Sequence, residues 1–484
     1  MAELVQNVFA SDCIYRTTLT APRSGFYRVD VCYNHDNWDT WMKLEVVGAQ
    51  GETFRIIPPL PRKYNKTTLL LYLFQGQNRI TAAPRYDQPV VIRDMYISEE
   101  APVLTPTVTP SSDWFYREDP SDRRLTVVSY TGTPVAITAG ERAIPFVPAD
   151  KAVYNNPEKE EELEPFYYYH LRISAEDLMA LEEGVHELKI HLPEGKSVDY
   201  TLHVAAKPAP WELQIVSLDV NHGNCALLRF PNGKNLLIDT GTQRCAKDVI
   251  FPYLDKHGIR LDYLLISHFH GDHDGSLAEV RERYPMPAPD NAEAYISASE
   301  AVRADYLSAF SYLDCTMLRR YDRLDRIWDL GGVEIRVLNS HYDENGNPVE
   351  GGFGNDSSVS LLVRYNDFQY YHGADNHAHV QRKNLEDFTA WGMEKELCCH
   401  YMQANHHFHG DLYPQMIRAI NPVAVLVPAS AAIYSRSAFL VDYLQDVVER
   451  DFPDKRLKET FVSYFSGTVR VSVNSGKDWH YETC

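Results

Sequence analysis

Residues 267–275 read SHFHGDHDG, immediately after the apolar run YLLI at 263–266. The run has the length and composition of a buried strand, so three histidines and two aspartates gather at one strand end. On a strand, residues two apart share a face, and Gly271 lets the backbone turn sharply after it. His268 and His270 can then point at one metal while Asp272 and His273 point at another. Imidazole nitrogen and carboxylate oxygen suit zinc, with manganese and iron compatible. Ligands this dense require a fold that brings partners from elsewhere in the chain to the same place.

Two other stretches offer such partners. FQYYHGADN (368–376) reads as a strand ending in Asp375, and CCHYMQANHHFHG (398–410) as a strand ending in His406 and His407. Between residue 211 and the end, strands alternate with helices. WELQIVSLDV, CALLRF and NLLIDTG read as strands, while CAKDVIFPYLDKHG, stopped by Gly258, and GSLAEVRERY read as helices. Leu440, Tyr443, Leu444, Val447 and Val448 fall on one helical face. TVRVSVNSGKDWHYE returns to strands. The alternation predicts a layered α/β fold with helices outside, and in such folds sites gather at strand ends.

The first hundred residues have a different texture. GFYRVDVCY, WMKLEVV, TTLLLYLF and VVIRDMYIS mix aromatic and β-branched residues between turns, which predicts a β-sandwich. APVLTPTVTPSSDW (101–114), with Pro102, Pro106 and Pro110, reads as a linker or an edge strand. A second β-rich block ends in the hairpin HELKIHL–PEGK–VDYTLHV. Its acidic run EKEEELE (158–164) reads as a solvated loop. AAKPAPW (205–211) marks a further boundary, so the expected domains are 1–102, 103–208 and 209–484. A fragment beginning at Trp211 is expected to keep the metal site.

Composition limits the function classes. Hydrophobic residues make up 44% and charged residues 24%, as in a globular protein with real cores. The formal net charge of −20 speaks against bulk nucleic-acid binding and against a nuclease, since such proteins usually carry a basic footprint. No apolar stretch approaches the ~18 residues needed to cross a bilayer, so no membrane partner is expected. MAELVQNVFASDC lacks the basic start and apolar core of a signal peptide. The chain reads as cytoplasmic as it stands, and as secreted if a leader was removed. Cys13, Cys32, Cys225, Cys245, Cys315, Cys398, Cys399 and Cys484 form no C-x-x-C pair, and neither a disulfide nor a cysteine metal site is assigned. Oligomeric state is not written in the sequence.

HFHGDH resembles the H-x-H-x-D-H signature of the metallo-β-lactamase superfamily, and NLLIDTG looks like that family's preceding strand. LDVNHGNCALLRF, LGGVEIRVLNS, NDSSVSLLVRY and ANHHFHGDLYPQMIRAINPVAVLVP are similar to the branch containing DNA-uptake competence proteins and phosphorylcholine esterases. The likeness runs in order over residues 211–478. It implies His268 and His270 on one zinc ion, Asp272, His273 and His406 on a second, and Asp375 bridging both, with a water or hydroxide between the ions as nucleophile. It places Asp239 behind the ligands and His222, in VNHGN, near the site. His407 either serves the leaving group, alongside Asp272 in the catalytic set, or is structural. His409 either lines the pocket or does not. His372, His377 and His379 read as surface or helix-start residues, and His341, in NSHYDENG, is expected not to be a ligand. GAD inserts Ala374 before Asp375, a departure from the family's pattern that leaves the register open.

The implied activity is a dinuclear zinc hydrolase of phosphoesters, above all phosphodiesters, acting on a small molecule or a glycopolymer. A hydrolase of another bond (lactone, amide or sulfate ester) and a non-catalytic metal-binding interaction protein are the alternatives. The N-terminal strands resemble β-sandwich carbohydrate-binding modules. There Tyr33, Trp38 and Trp41 either stack on sugar rings or fill the sandwich core. Residues 105–206 look immunoglobulin-like. The expected architecture is two β-sandwiches followed by a layered αβ/βα metallo-β-lactamase fold.

Overall fold

Side chains along Tyr15–Ala21 are alternately buried and exposed at every position, the period-two signature of a strand with one face in a core. The computed structural model describes residues 15–34, 42–57, 65–84, 91–97, 105–129, 131–148, 168–289, 293–296, 298–349, 352, 354–408, 413–430 and 456–483. Trp38, Trp41, His409, Cys13, Cys484, the acidic run 158–164 and the helical face at 440–448 lie outside these residues, as do the side chains of Tyr33 and Cys32. The described residues up to Thr105 and those from Pro106 onward belong to two compact units.

In the first unit, Tyr15–Ala21, Gly76–Pro84, Met42–Gly48 and Gly51–Ile57 form an antiparallel sheet in that order. Asn65–Leu73, Gly25–Asn34 and Val91–Ile97 form a second antiparallel sheet. Leu19, Leu44, Val46 and Ile80 from one sheet and Val29, Leu71, Leu73 and Met95 from the other are all buried. This is the β-sandwich expected from the sequence.

The second unit holds another pair of sheets and then a layered α/β body. Val147–Pro148, Tyr168–Ile173, Arg123–Val128 and Thr107–Thr109 make one sheet. Arg142–Ala143, Ala136–Ala139, Gly184–His191, Ser197–Ala205 and Ser112–Tyr116 make the other. The proline-bearing stretch therefore supplies an edge strand to each sheet, where a residue without a backbone N–H is tolerated.

Beyond Trp211 two sheets enclose one apolar core. The first runs Tyr312–Asp314, Tyr263–Ile266, Asn235–Ile238, Ala226–Arg229, Leu213–Ser217, Val469–Val473 and Trp479–Thr483. The second runs Glu334–Asn339, Ser360–Tyr365, Phe368–His372, Tyr401–Gln403, Ala424–Val427 and Glu459–Val462. Ile215, Leu237 and Leu265 of the first and Val337, Leu361, Tyr370 and Leu426 of the second share the core. The expected helices form at Phe251–Lys256, after a π turn at Ala246–Ile250, and at Leu277–Arg283.

Pairing direction decides where the chemistry lies. Asn235–Ile238 is parallel to Tyr263–Ile266, and Phe368–His372 is parallel to Tyr401–Gln403. Parallel neighbours end at the same sheet edge. The segments carrying Asp239 and His268 to His273 therefore emerge together from the first sheet, and those carrying Asp375 and His407 from the second.

The boundary at Trp211 is less severable than its prolines suggest. Asp113 is fully buried and accepts from the Thr483 hydroxyl at 2.6 Å and the Thr483 N–H at 3.2 Å. Ser111 donates its N–H to Glu459 at 2.8 Å and its hydroxyl to the same oxygen, which also accepts from Tyr481 at 2.9 Å. Trp114 packs its ring 5.1 Å from that of His480. The second sandwich therefore satisfies polar groups buried in the α/β body.

Candidate metal centre

Three imidazoles in the centre, those of His268, His273 and His407, are held through Nδ1 and present Nε2 inward. His273 Nδ1 lies 2.8 Å from Asp239 Oδ2, His407 Nδ1 donates to the Pro428 carbonyl at 2.6 Å, and His268 Nδ1 meets Ser267 Oγ at 3.1 Å. Fixing one ring nitrogen selects the tautomer whose other nitrogen is a lone-pair donor. Asp239 is itself held: it accepts from the Ser267 N–H and hydroxyl, both at 2.7 Å.

The inward atoms converge on Asp375. Its Oδ2 lies 3.1 Å from His273 Nε2, 3.6 Å from His407 Nε2 and 3.8 Å from His268 Nε2. Asp272 Oδ2 lies 3.2 Å from His407 Nε2 and 3.1 Å from His222 Nε2. Two sets of donor atoms result, each with its members within 4.8 Å of one another: His268, His270 and Asp375, and Asp272, His273, Asp375 and His407. Asp375 belongs to both.

Loop conformation sets these positions. Gly223 has φ +105, and a Cβ there would lie 1.9 Å from the Asp272 carbonyl oxygen, so only glycine lets the VNHGN loop press against Asp272. Gly373 is also tightly placed: a Cβ would lie 2.8 Å from the Gln403 carbonyl oxygen and from Asn405. Ala374 then takes φ 45, and its carbonyl accepts from the His406 N–H at 2.8 Å. The inserted alanine is thus absorbed by one left-handed residue, and Asp375 still reaches the centre.

His406 does not. His406, His407 and Phe408 have φ of 45, 50 and 55. This left-handed turn buries His407 in the centre and carries His406 to Asn355, whose side-chain nitrogen lies 3.2 Å from His406 Nε2. His407, rather than the expected ligand His406, therefore joins the donor atoms around Asp375.

The carboxylates and imidazoles of the centre shift one another strongly. Burial disfavours an ionised Asp375, but the imidazoles of His273, His407 and His268 hold its carboxyl well below the usual range. Burial likewise opposes Asp272, and His222 and His407 more than offset it, again lowering the carboxyl. His273 is driven up although burial opposes it, because Asp375 and Asp239 flank it. His407 is raised against burial by Asp375 and Asp272. His268, with burial and then His273 acting on it, falls to about 3 and stays neutral. His268 Nε2, His273 Nε2 and Asp375 Oδ1 are buried and make no hydrogen bond. Orphaned donors of this kind are costly unless a further group takes them, and imidazole and carboxylate lone pairs converging at these spacings suit divalent zinc.

Other residues are placed as follows. His222 stands beside the second set, its ring 5.4 Å from that of His407. His341 Nδ1 contacts the Gly352 carbonyl at 3.0 Å and belongs to neither set. His372, expected near the surface, is fully buried on its strand with Nδ1 3.0 Å from the Tyr370 hydroxyl. Sequence reasoning missed Ser267 and Ser358, whose hydroxyl accepts the Asp375 N–H at 3.2 Å. Ser267 directly precedes His268, which was the available signal, whereas Ser358 lies 17 residues before Asp375 and offered none.

Residues 218–354 match the family described as the metallo-beta-lactamase superfamily, a family of metal-dependent hydrolases. The chain is 29% identical over 132 residues to Recombination protein 2 of Haemophilus influenzae, covering 26% of this chain and 14% of that protein. It is 40% identical over 70 residues to Competence protein ComA of Neisseria gonorrhoeae, covering 14% and 10%. The chain thus spans 10–14% of the length of these curated relatives. Among solved structures it is similar to a CBM35 module from Cellvibrio japonicus, at 13% identity and a TM-score of 0.19, covering 21% of this chain and 95% of the module. A carbohydrate-binding module from Cellvibrio mixtus lichenase 5A in complex with cellotriose is similar at 14% identity and a TM-score of 0.16, covering 18% and 71%.

Proposed function

We propose that this chain, which carries a metallo-β-lactamase superfamily domain, hydrolyses phosphodiester bonds at a dinuclear zinc centre. The carrying observation is that Asp375 belongs to two donor sets at once. His268, His270 and Asp375 would hold one ion, and Asp272, His273, His407 and Asp375 the other. Two such ions lower the pKa of bound water and neutralise charge developing on phosphoryl oxygens. The chain's own part is to hold the donors rigid. Asp239 fixes His273, Pro428 fixes His407 and Ser358 fixes the Asp375 backbone. With His407 among the ligands, His222 is the imidazole left at the rim beside Asp272 to pass a proton to the leaving group.

The substrate is a small molecule or a glycopolymer, and in the second case the N-terminal sandwich (1–102) would hold the polymer while the domain at 209–484 cuts it. Support for the sugar role is the sequence resemblance of that sandwich alone. The test is hydrolysis of bis(p-nitrophenyl) phosphate by the zinc-loaded full chain, run beside p-nitrophenyl phosphate, p-nitrophenyl sulfate and a lactone. Turnover fastest on the diester is expected. Absence of diester turnover, or a faster rate on the sulfate or lactone, would overturn the reading.

A further inference from the structure

Asp356, His377 and His379 form a third set of donor atoms, all within 4.8 Å of one another. Asp356 sits in the turn Asn355–Ser357. His377 caps the helix Ala378–Ala390, and His379 lies in its first turn. Asp356 Oδ1 lies 2.7 Å from His377 Nδ1 and 3.3 Å from His379 Nε2. Tetrahedral zinc with bonds of about 2.0–2.2 Å spaces its ligand atoms ~3.3–3.6 Å apart, so these contacts need little adjustment to close on an ion. The spacing matches that at the main centre, where inward atoms lie 3.1–3.8 Å from Asp375. One carboxylate and two imidazoles are the donor types of a zinc, manganese or iron site.

The surroundings favour an ion over a simple surface pair. His377 packs its ring 5.2 Å from that of His406, and the Asn355 side-chain nitrogen lies 3.2 Å from both His377 Nε2 and His406 Nε2. The set is therefore built into the segment that joins Asp375 to its helix, beside the left-handed turn carrying His407. The side chain of His379 is 61% exposed, which leaves a path for an ion and a coordination position open to solvent.

We propose that Asp356, His377 and His379 bind a third divalent transition-metal ion, which clasps the 355–357 turn to the helix following Asp375. The proposal goes beyond the dinuclear reading and stands apart from it. The experiment is equilibrium dialysis of the full chain against zinc, comparing wild type with His379→Ala and Asp356→Asn. Each variant is expected to hold one equivalent fewer than wild type. The same one-equivalent difference is expected between His268→Ala and the His268→Ala/His379→Ala double variant, so a failure at the main centre leaves this result readable. His379 is exposed, and His379→Ala is expected to keep the wild-type Tm when both proteins are metal-free. Unchanged zinc content in both single variants would overturn the proposal.

Discussion

Asp239 and His273, 34 residues apart and both fully buried, are joined by a 2.8 Å contact between Oδ2 and Nδ1 that turns His273 Nε2 toward Asp375. Partners that orient a ligand histidine in this way typically contribute 10–100-fold in metal affinity. Asp239→Ala should therefore weaken zinc binding by about that factor. It should also cost roughly 1–3 kcal/mol in stability, because the Ser267 N–H loses its acceptor. Chelator competition checks the affinity. Wild-type affinity in the variant would show that His273 needs no help to find its orientation.

The adjacent histidines give a paired prediction. His407→Ala should lose zinc from the set containing Asp272 and abolish hydrolysis, since His407 Nε2 faces both Asp272 and Asp375. His406→Ala should keep the zinc of the main centre, because its ring turns toward Asn355. Metal analysis after gel filtration checks both. The reverse pattern would restore the assignment that the sequence suggested.

That pair also shows where the sequence stops being informative. The donor cluster at 268–273 is legible because imidazoles and carboxylates packed this densely at a strand end are costly to bury unless metal ions take them up, and parallel pairing brings Asp239 to the end of the strand before His268. Choosing between His406 and His407 depends on three consecutive non-glycine residues in the left-handed region, which no local propensity favours. The seam between the second sandwich and the α/β body was illegible for a different physical reason. Its polar contacts join residues as distant as Ser111 and Glu459, while the prolines between the two parts read locally as a linker.

That seam should respond to pH. Burial pushes the Glu459 carboxyl up to about 7 from an ordinary 4.5, despite the bonds donated by Ser111 and Tyr481. An unfolded chain would ionise Glu459 from 4.5 upward while the folded chain keeps the proton until about 7. The group's contribution to stability is therefore full below 4.5 and is lost as pH rises through that window. Glu459→Gln, which cannot ionise, should gain on the order of 2–3 kcal/mol relative to wild type between pH 4 and pH 8. Denaturant titrations at the two pH values check it, and a difference that does not change with pH would contradict it.

Cutting the seam should matter as well. A fragment beginning at Trp211 loses the Asp113 and Ser111 partners of Thr483 and Glu459, leaving buried groups that each cost about 1–3 kcal/mol when unsatisfied. It should melt well below a fragment beginning at Thr105 and aggregate more readily. Equal Tm values for the two fragments would show that the contacts across Trp211 add nothing.

Hydrolysis as proposed requires two ions sharing Asp375, and anomalous diffraction at the zinc edge from crystals of the zinc-loaded chain tests that directly. Two peaks are predicted on either side of the Asp375 carboxylate, one against His268 and His270 and the other against Asp272, His273 and His407. A single peak there, or none, would contradict the dinuclear centre and the hydrolytic role proposed for it.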